Sequence, residues 1–238
     1  MNRTMAFRIQ VSTLEQLSEA LKINEFEYIY APLNLISSDI YEKNRIIVVP
    51  SAFKCEQMIS CRKMGFTRAL AHTLGHIPII QDAEMFIHGG FRLNITNSVA
   101  LEQYMSLGLT DAILSIEINL NRIKALNRVL PYGLIVYGNL PVMLLRRIPG
   151  SDGLTDRKGK FFPLRGTRSK TANEVEVELE LYNPDTLILS DKMSDFENLD
   201  FVVFLMSPDD SVQKVLEMYI NETAPSIKEN FTRGLYRK

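Results

Sequence analysis

The chain has 238 residues, 46% of them hydrophobic and 23% charged, and a formal net charge of −1. That length suits one barrel-sized domain with a substantial core. The near-neutral charge excludes a global positive field that would draw the chain to nucleic acid or anionic lipid, and leaves only local basic patches for such a role.

Residues 7–12 predict a first strand. Thr13 then caps a helix, with Gln16 three residues on completing a capping box, and Leu14, Leu17 and Leu21 supply its apolar stripe. Residues 27–31 predict strand two, and 37–43 a short helical link. Residues 45–50 contain Ile-Ile-Val-Val and predict strand three, because a continuous β-branched run suits a strand covered on both faces. Ser51 caps a helix running to Met64, and Gly65 ends it. Residues 67–71 predict strand four, followed by a helix near 75–82, and 84–88 predict strand five. Asn97 or Ser98 caps the next helix, which stops at Gly108. Residues 111–115 predict strand six. Leu120, Ile123 and Leu126 line the helix after it, and 134–137 predict strand seven.

The regular spacing then fails. Residues 144–171 hold eight Lys or Arg against two Asp. Residues 174–181 alternate, with Val175, Val177, Leu179 and Leu181 on one face and glutamates on the other, the pattern of a half-buried antiparallel strand. Residues 187–189 are expected to pair with it. Strand eight resumes at 201–205, Asp209 or Asp210 caps a closing helix through Val212, Val215, Leu216 and Tyr219, and the tail is expected to be irregular. The whole reads as a single α/β domain over 1–238, a TIM-like (β/α)8 barrel. A basic, β-rich excursion at about 144–200 follows strand seven and lies over one mouth. Chemistry in such a barrel sits in the loops at the carboxyl ends of the strands. The rival doubly wound sheet wants a Gly-rich first turn, and Ser12-Thr13-Leu14 offers none.

Residues 1–10 lack the long apolar core of a secretory signal, and the most apolar window, 134–145, is broken by Gly138, Asn139 and Pro141 and is too short to span a bilayer. A cytoplasmic chain with no membrane partner is expected. Cys55 and Cys61 share a predicted helix, where six residues of rise set them roughly 9 Å apart on different faces. They read as buried fillers rather than a disulfide.

P-loop, dinucleotide-fingerprint, serine-elbow and paired-histidine zinc signatures are missing. His72 and His76 have the spacing of a metal pair, but Gly75 lies between them and no third ligand is evident, so they read as structural, and neither a metal site nor a cofactor is expected. His88 sits at the predicted end of strand five, where barrel active-site groups project. Asn94 and Asn97 offer amide donors and acceptors to a polar ligand, or simply turn and cap chemistry. Arg146, Arg147, Arg157 and Arg165 suit bidentate contact with phosphate or carboxylate, and Phe161 and Phe162 add stacking surface for a base. A solvated hairpin whose arginines pair with Asp152 and Asp156 explains the same composition.

Three stretches carry a family resemblance: 91–98 (Phe-Arg-Leu-Asn-Ile-Thr-Asn-Ser), 136–143 (Val-Tyr-Gly-Asn-Leu-Pro-Val-Met) and 154–164 (Leu-Thr-Asp-Arg-Lys-Gly to Phe-Pro-Leu). With the opening Val11 to Leu17 and the closing Phe-Thr-Arg-Gly at 231–234, they resemble the collagenase-like peptidase family U32, closest to the carboxyl-terminal part of its longer members. The resemblance implies a barrel fold and a proteolytic label. Other members act in RNA hydroxylation or anaerobic quinone hydroxylation, and some hold an iron–sulfur cluster on cysteines. Cysteine-bearing relatives read Val-His-Gly-Ala-Leu-Cys at strand seven. Here Tyr137 and Pro141 stand at those places, and Ile148 stands where another cysteine precedes Pro149. A cluster wants about four thiolates, and the chain has two cysteines, off the motif.

Two readings follow. The first is a non-catalytic substrate-docking or assembly module, whose partner is a catalytic U32-type domain or chain and whose ligand-binding residues include Asn94, Asn97, Tyr137, Arg146, Arg157 and Arg165. The second is a peptidase or other hydrolase using His88 with Asp156 or Glu117. A weaker third is RNA binding through the basic patch. The substrate is then a peptide or RNA, and a homo-oligomer is compatible with each.

Overall fold

The strands close into a ring. In the computed structural model, which describes residues 5–51, 57–145, 152–170, 175–225, 231–234 and 236, seven strands pair in sequence order. They are β1 (Ala6–Gln10), β2 (Phe26–Pro32), β3 (Ile46–Val49), β4 (Arg68–Ala71), β5 (Phe86–Gly89), β6 (Leu109–Ile113) and β7 (Tyr132–Leu145). Three strands outside the ring follow: β8 (Gly153–Thr155), β9 (Phe161–Lys170) and β10 (Val175–Ile188). Then β11 (Phe201–Leu205) pairs in parallel with both β7 and β1 and completes eight parallel strands. The chain is a TIM-like α/β barrel with extra strands. Every residue of β3 and of β11 is buried, which is what their unbroken apolar runs require.

Helices α1 (Leu14–Leu21), α2 (Met58–Lys63), α3 (His76–Asp82), α4 (Ser98–Ser106), α5 (Leu120–Lys124) and α6 (Val212–Ile220) follow β1, β3, β4, β5, β6 and β11. Thr13 caps α1 by accepting the Gln16 N–H, and the Gln16 side chain returns a bond, to the N–H of Ser12. Leu14 is exposed, so the buried face of α1 is Gln16, Leu17, Ala20 and Leu21. Asn97 caps α4, and Ser211, not Asp209 or Asp210, caps α6. The expected link at 37–43 is not a helix. Glu42 takes a left-handed backbone there (φ 53), and only a 3-10 turn at Lys43–Arg45 forms after it. The predicted start of α2, and Cys55 with it, lies outside the described residues; Cys61 is a buried free thiol.

β7 is longer than expected. Its first half lies in the ring against β6 and β11, and its second half continues outward, paired antiparallel with β10. Gly138 marks the departure, at φ +118, where a Cβ would stand 1.9 Å from the Leu205 carbonyl oxygen. Residues 187 and 188 do not form a partner for the amphipathic strand; they are its continuation as β10. The tail contributes β12 (Phe231–Thr232), a short strand parallel to β10. No helix among the described residues is long and apolar enough to cross a membrane.

Candidate functional site

The carboxyl-terminal mouth opens into a cavity of about 610 Å³. The ends of β1, β2, β3, β4 and β11 form its floor, and β9 and β10 form a wall above it. A polar chain runs along that wall. Arg92, just after β5, donates to Glu180 of β10. The Tyr182 hydroxyl donates to the other Glu180 oxygen at 2.6 Å. The Arg165 guanidinium of β9 lies 5.1 Å from the centre of the Tyr182 ring, and its Nη1 donates to the Ser207 hydroxyl at 2.6 Å. The Ser207 hydroxyl in turn donates to the Asn139 side-chain carbonyl at 2.9 Å. Burial and the neighbouring Glu180 carboxylate hold the Tyr182 phenol far above its ordinary pKa, while Arg92 and Arg165 oppose the rise.

Ser207 is itself anchored. Its backbone N–H donates to the Asp210 carboxylate at 2.6 Å, and its carbonyl accepts from the Gln16 side chain at 2.7 Å. Asp210 also bonds Tyr137, although burial raises its pKa overall. The polar residues of this mouth therefore tie the excursion to the ring. Ser12 and Ser51 also lie at the floor, and the Ser12 hydroxyl donates to the Met206 carbonyl.

The amino-terminal mouth carries a second, smaller cavity of about 330 Å³ above a buried charge cluster. Arg8 of β1 reaches across the lumen to Asp111 of β6 at 2.8 Å, with its Nε on Glu27 at 2.7 Å and Nη1 on the Tyr30 hydroxyl at 3.2 Å. His88 Nδ1 sits 2.9 Å from Asp111, and Arg68 Nη1 approaches its Nε2 at 3.5 Å. Burial disfavours the Arg8 charge, but Tyr30, Asp111 and Glu27 outweigh it and hold the guanidinium pKa above its ordinary value. Burial alone would push Asp111 up; His88 and Arg8 reverse that and hold its carboxyl below the usual value. Both charges are thus kept ionised in the barrel interior.

The structure separates several of the predicted site residues. β5 extends to Gly89, so His88 is not a rim residue: it is buried in the barrel with Asp111 and lines the amino-terminal cavity. Asp156 does not join it. It holds the exposed turn between β8 and β9, accepting the Lys158 and Lys160 N–H groups, each at 2.8 Å. Asn94 takes a left-handed backbone and accepts the Ser115 hydroxyl at 2.6 Å, and Asn97 caps α4, so both do turn and cap chemistry. Tyr137 is buried, packed edge-on against Tyr219 at 6.3 Å. Arg157 stays exposed in the hairpin turn, whereas Arg165 enters the mouth. Arg146 and Arg147 lie outside the described residues.

The sequence marks none of Arg92, Glu180, Tyr182 and Ser207 as ligand residues, and it reads His72 as structural. Glu180 reads there as one more solvent-facing glutamate, and only the β10–β7 register brings it to Arg92. Among the described residues no group of three or more His, Cys, Asp or Glu is placed to hold a metal ion. Compared with known proteins, the chain matches no family model and no curated protein.

Proposed function

We propose that this chain is a non-catalytic substrate-docking barrel of the U32 type, which seats a peptide at its carboxyl-terminal mouth while a cysteine-bearing U32-type domain or chain carries the chemistry. One observation supports this reading above the others. Two serine hydroxyls at the mouth are spent on fixed acceptors, Ser12 on the Met206 carbonyl and Ser207 on the Asn139 amide. A nucleophile instead needs a base within hydrogen-bond reach to take its proton. His72, which lines the same cavity, has its pKa pushed down to about 3 by burial, by Arg92 and by His76, far from the poise of a general base at neutral pH. His88, the histidine with an orienting carboxylate, is at the opposite end of the barrel. RNA binding draws less support, since the basic stretch divides between an exposed Arg157 and an Arg165 turned into the cavity. A cytoplasmic setting belongs to the same proposal.

The test is digestion of casein and gelatin by the purified full chain. No peptide release is expected. Release that disappears in Ser207→Ala or His72→Ala would overturn the reading in favour of the peptidase label.

A further inference from the structure

The charged side chains lining the carboxyl-terminal cavity are unbalanced: two arginines, Arg92 and Arg165, face one glutamate, Glu180. Glu180 belongs to Arg92. Arg165 has no carboxylate within ion-pair distance among the described residues, and its one hydrogen bond there, from Nη1 to Ser207, uses one of five guanidinium N–H groups. The Asp210 carboxylate is near enough to feel the Arg165 charge but is spent on the Ser207 N–H, so the free N–H groups of Arg165 stay open to an anion from the cavity.

His72 adds an independent sign. Its Nδ1 is the buried side-chain atom among the described residues that has no hydrogen bond. It is pressed against Gly90, where a Cβ would stand 2.8 Å away. A buried lone pair without a donor costs less than a buried N–H without an acceptor, since orphaned N–H groups are the rarer. The proton of the neutral ring therefore belongs on Nε2, the nitrogen left to meet whatever enters the cavity His72 lines.

We infer that the mouth contains a carboxylate site, in which Arg165 and the His72 Nε2–H receive a singly charged carboxylate, the group a peptide carries at its carboxyl terminus. This deepens the docking reading and rests on it for the peptide as ligand. The wall already shows what such a site accepts: the Glu180 carboxylate is held by Arg92 through one oxygen and by Tyr182 through the other. A single guanidinium without an ion-pair partner, with the Asp210 carboxylate close by, matches a singly charged carboxylate better than a doubly charged phosphate.

The experiment is calorimetric titration of the full chain with N-acetyl-trialanine, its carboxamide and inorganic phosphate. The free acid should bind and the amide should not. Losing the charged fork in Arg165→Gln should weaken acid binding at least about tenfold, and Arg157→Gln should leave it unchanged. Glu180→Gln removes the competing negative charge and should tighten acid binding about threefold or more; a gain of this kind cannot come from misfolding. The inference is overturned if the folded wild-type chain ignores the acid, if the amide binds as well, if phosphate binds as tightly, or if Arg165→Gln changes nothing. Turnover of the peptide with its binding intact would sink the non-catalytic reading and leave the carboxylate site standing.

Discussion

Replacing Asp111 with alanine isolates the energetics of the buried cluster at the amino-terminal mouth. Asp111 is 4% exposed and accepts bonds from Arg8 at 2.8 Å and His88 at 2.9 Å. Breaking a buried charge pair from one side costs about 3–5 kcal/mol, because the remaining charge is left without its partner. Arg8 keeps Glu27 and Tyr30, which places the loss near the lower end, about 3 kcal/mol. In a chain of this size each kcal/mol moves Tm by about 2–4 °C, so a fall of about 6–12 °C is expected. Urea and thermal unfolding followed by circular dichroism measure it. The double variant Arg8→Met, Asp111→Leu removes both charges and should regain more than half of the loss. A single variant within about 1 kcal/mol of wild type, or a double variant as unstable as the single one, would refute this reasoning.

Acid should act through the same carboxyl. Its folded pKa is depressed, so its contribution is fully present above the unfolded value, about 3.9, and is lost as pH falls through the folded value. Tm should therefore drop on the acid side of that point, and Asp111→Asn should flatten the drop in a Tm–pH series. Gly138→Ala would set a methyl 1.9 Å from the Leu205 carbonyl oxygen at a positive φ. A loss of more than about 3 kcal/mol or failure to accumulate soluble protein is expected, read by soluble yield and melting. The Tyr219 hydroxyl donates to the Val136 carbonyl and accepts the Leu189 N–H at 3.0 Å. That N–H also reaches Val136 at 3.1 Å, so Tyr219→Phe should cost only about 1 kcal/mol, measured as a shift in the urea midpoint.

The ring of strands was legible because parallel strands covered on both faces read as short unbroken apolar runs, as Ile46–Val49 and Phe201–Leu205 do. The excursion was legible too, from the alternation that ends in Leu179 and Leu181. What failed was the reach of single elements. β5 runs one residue past His88, which moves that side chain from a rim to the interior. β7 runs on through Pro141, and β10 absorbs residues expected to form a separate strand. The buried cluster does carry a sequence signal. Arg8 and Asp111 are lone charges inside strands otherwise fit for burial, and such charges need partners from elsewhere in the barrel. The carboxyl-terminal mouth was harder, because Arg92 and Glu180 are 88 residues apart. Nothing local in either segment names the other; their meeting depends on the register by which β10 folds back along β7.

The proposed docking role requires that the serines of the mouth, Ser12, Ser51 and Ser207, carry no activated hydroxyl. Its most direct test is incubation of the full chain with a fluorophosphonate serine probe, followed by intact mass and peptide mapping. The account predicts an unchanged mass. A stoichiometric adduct on Ser12, Ser51 or Ser207 would contradict it.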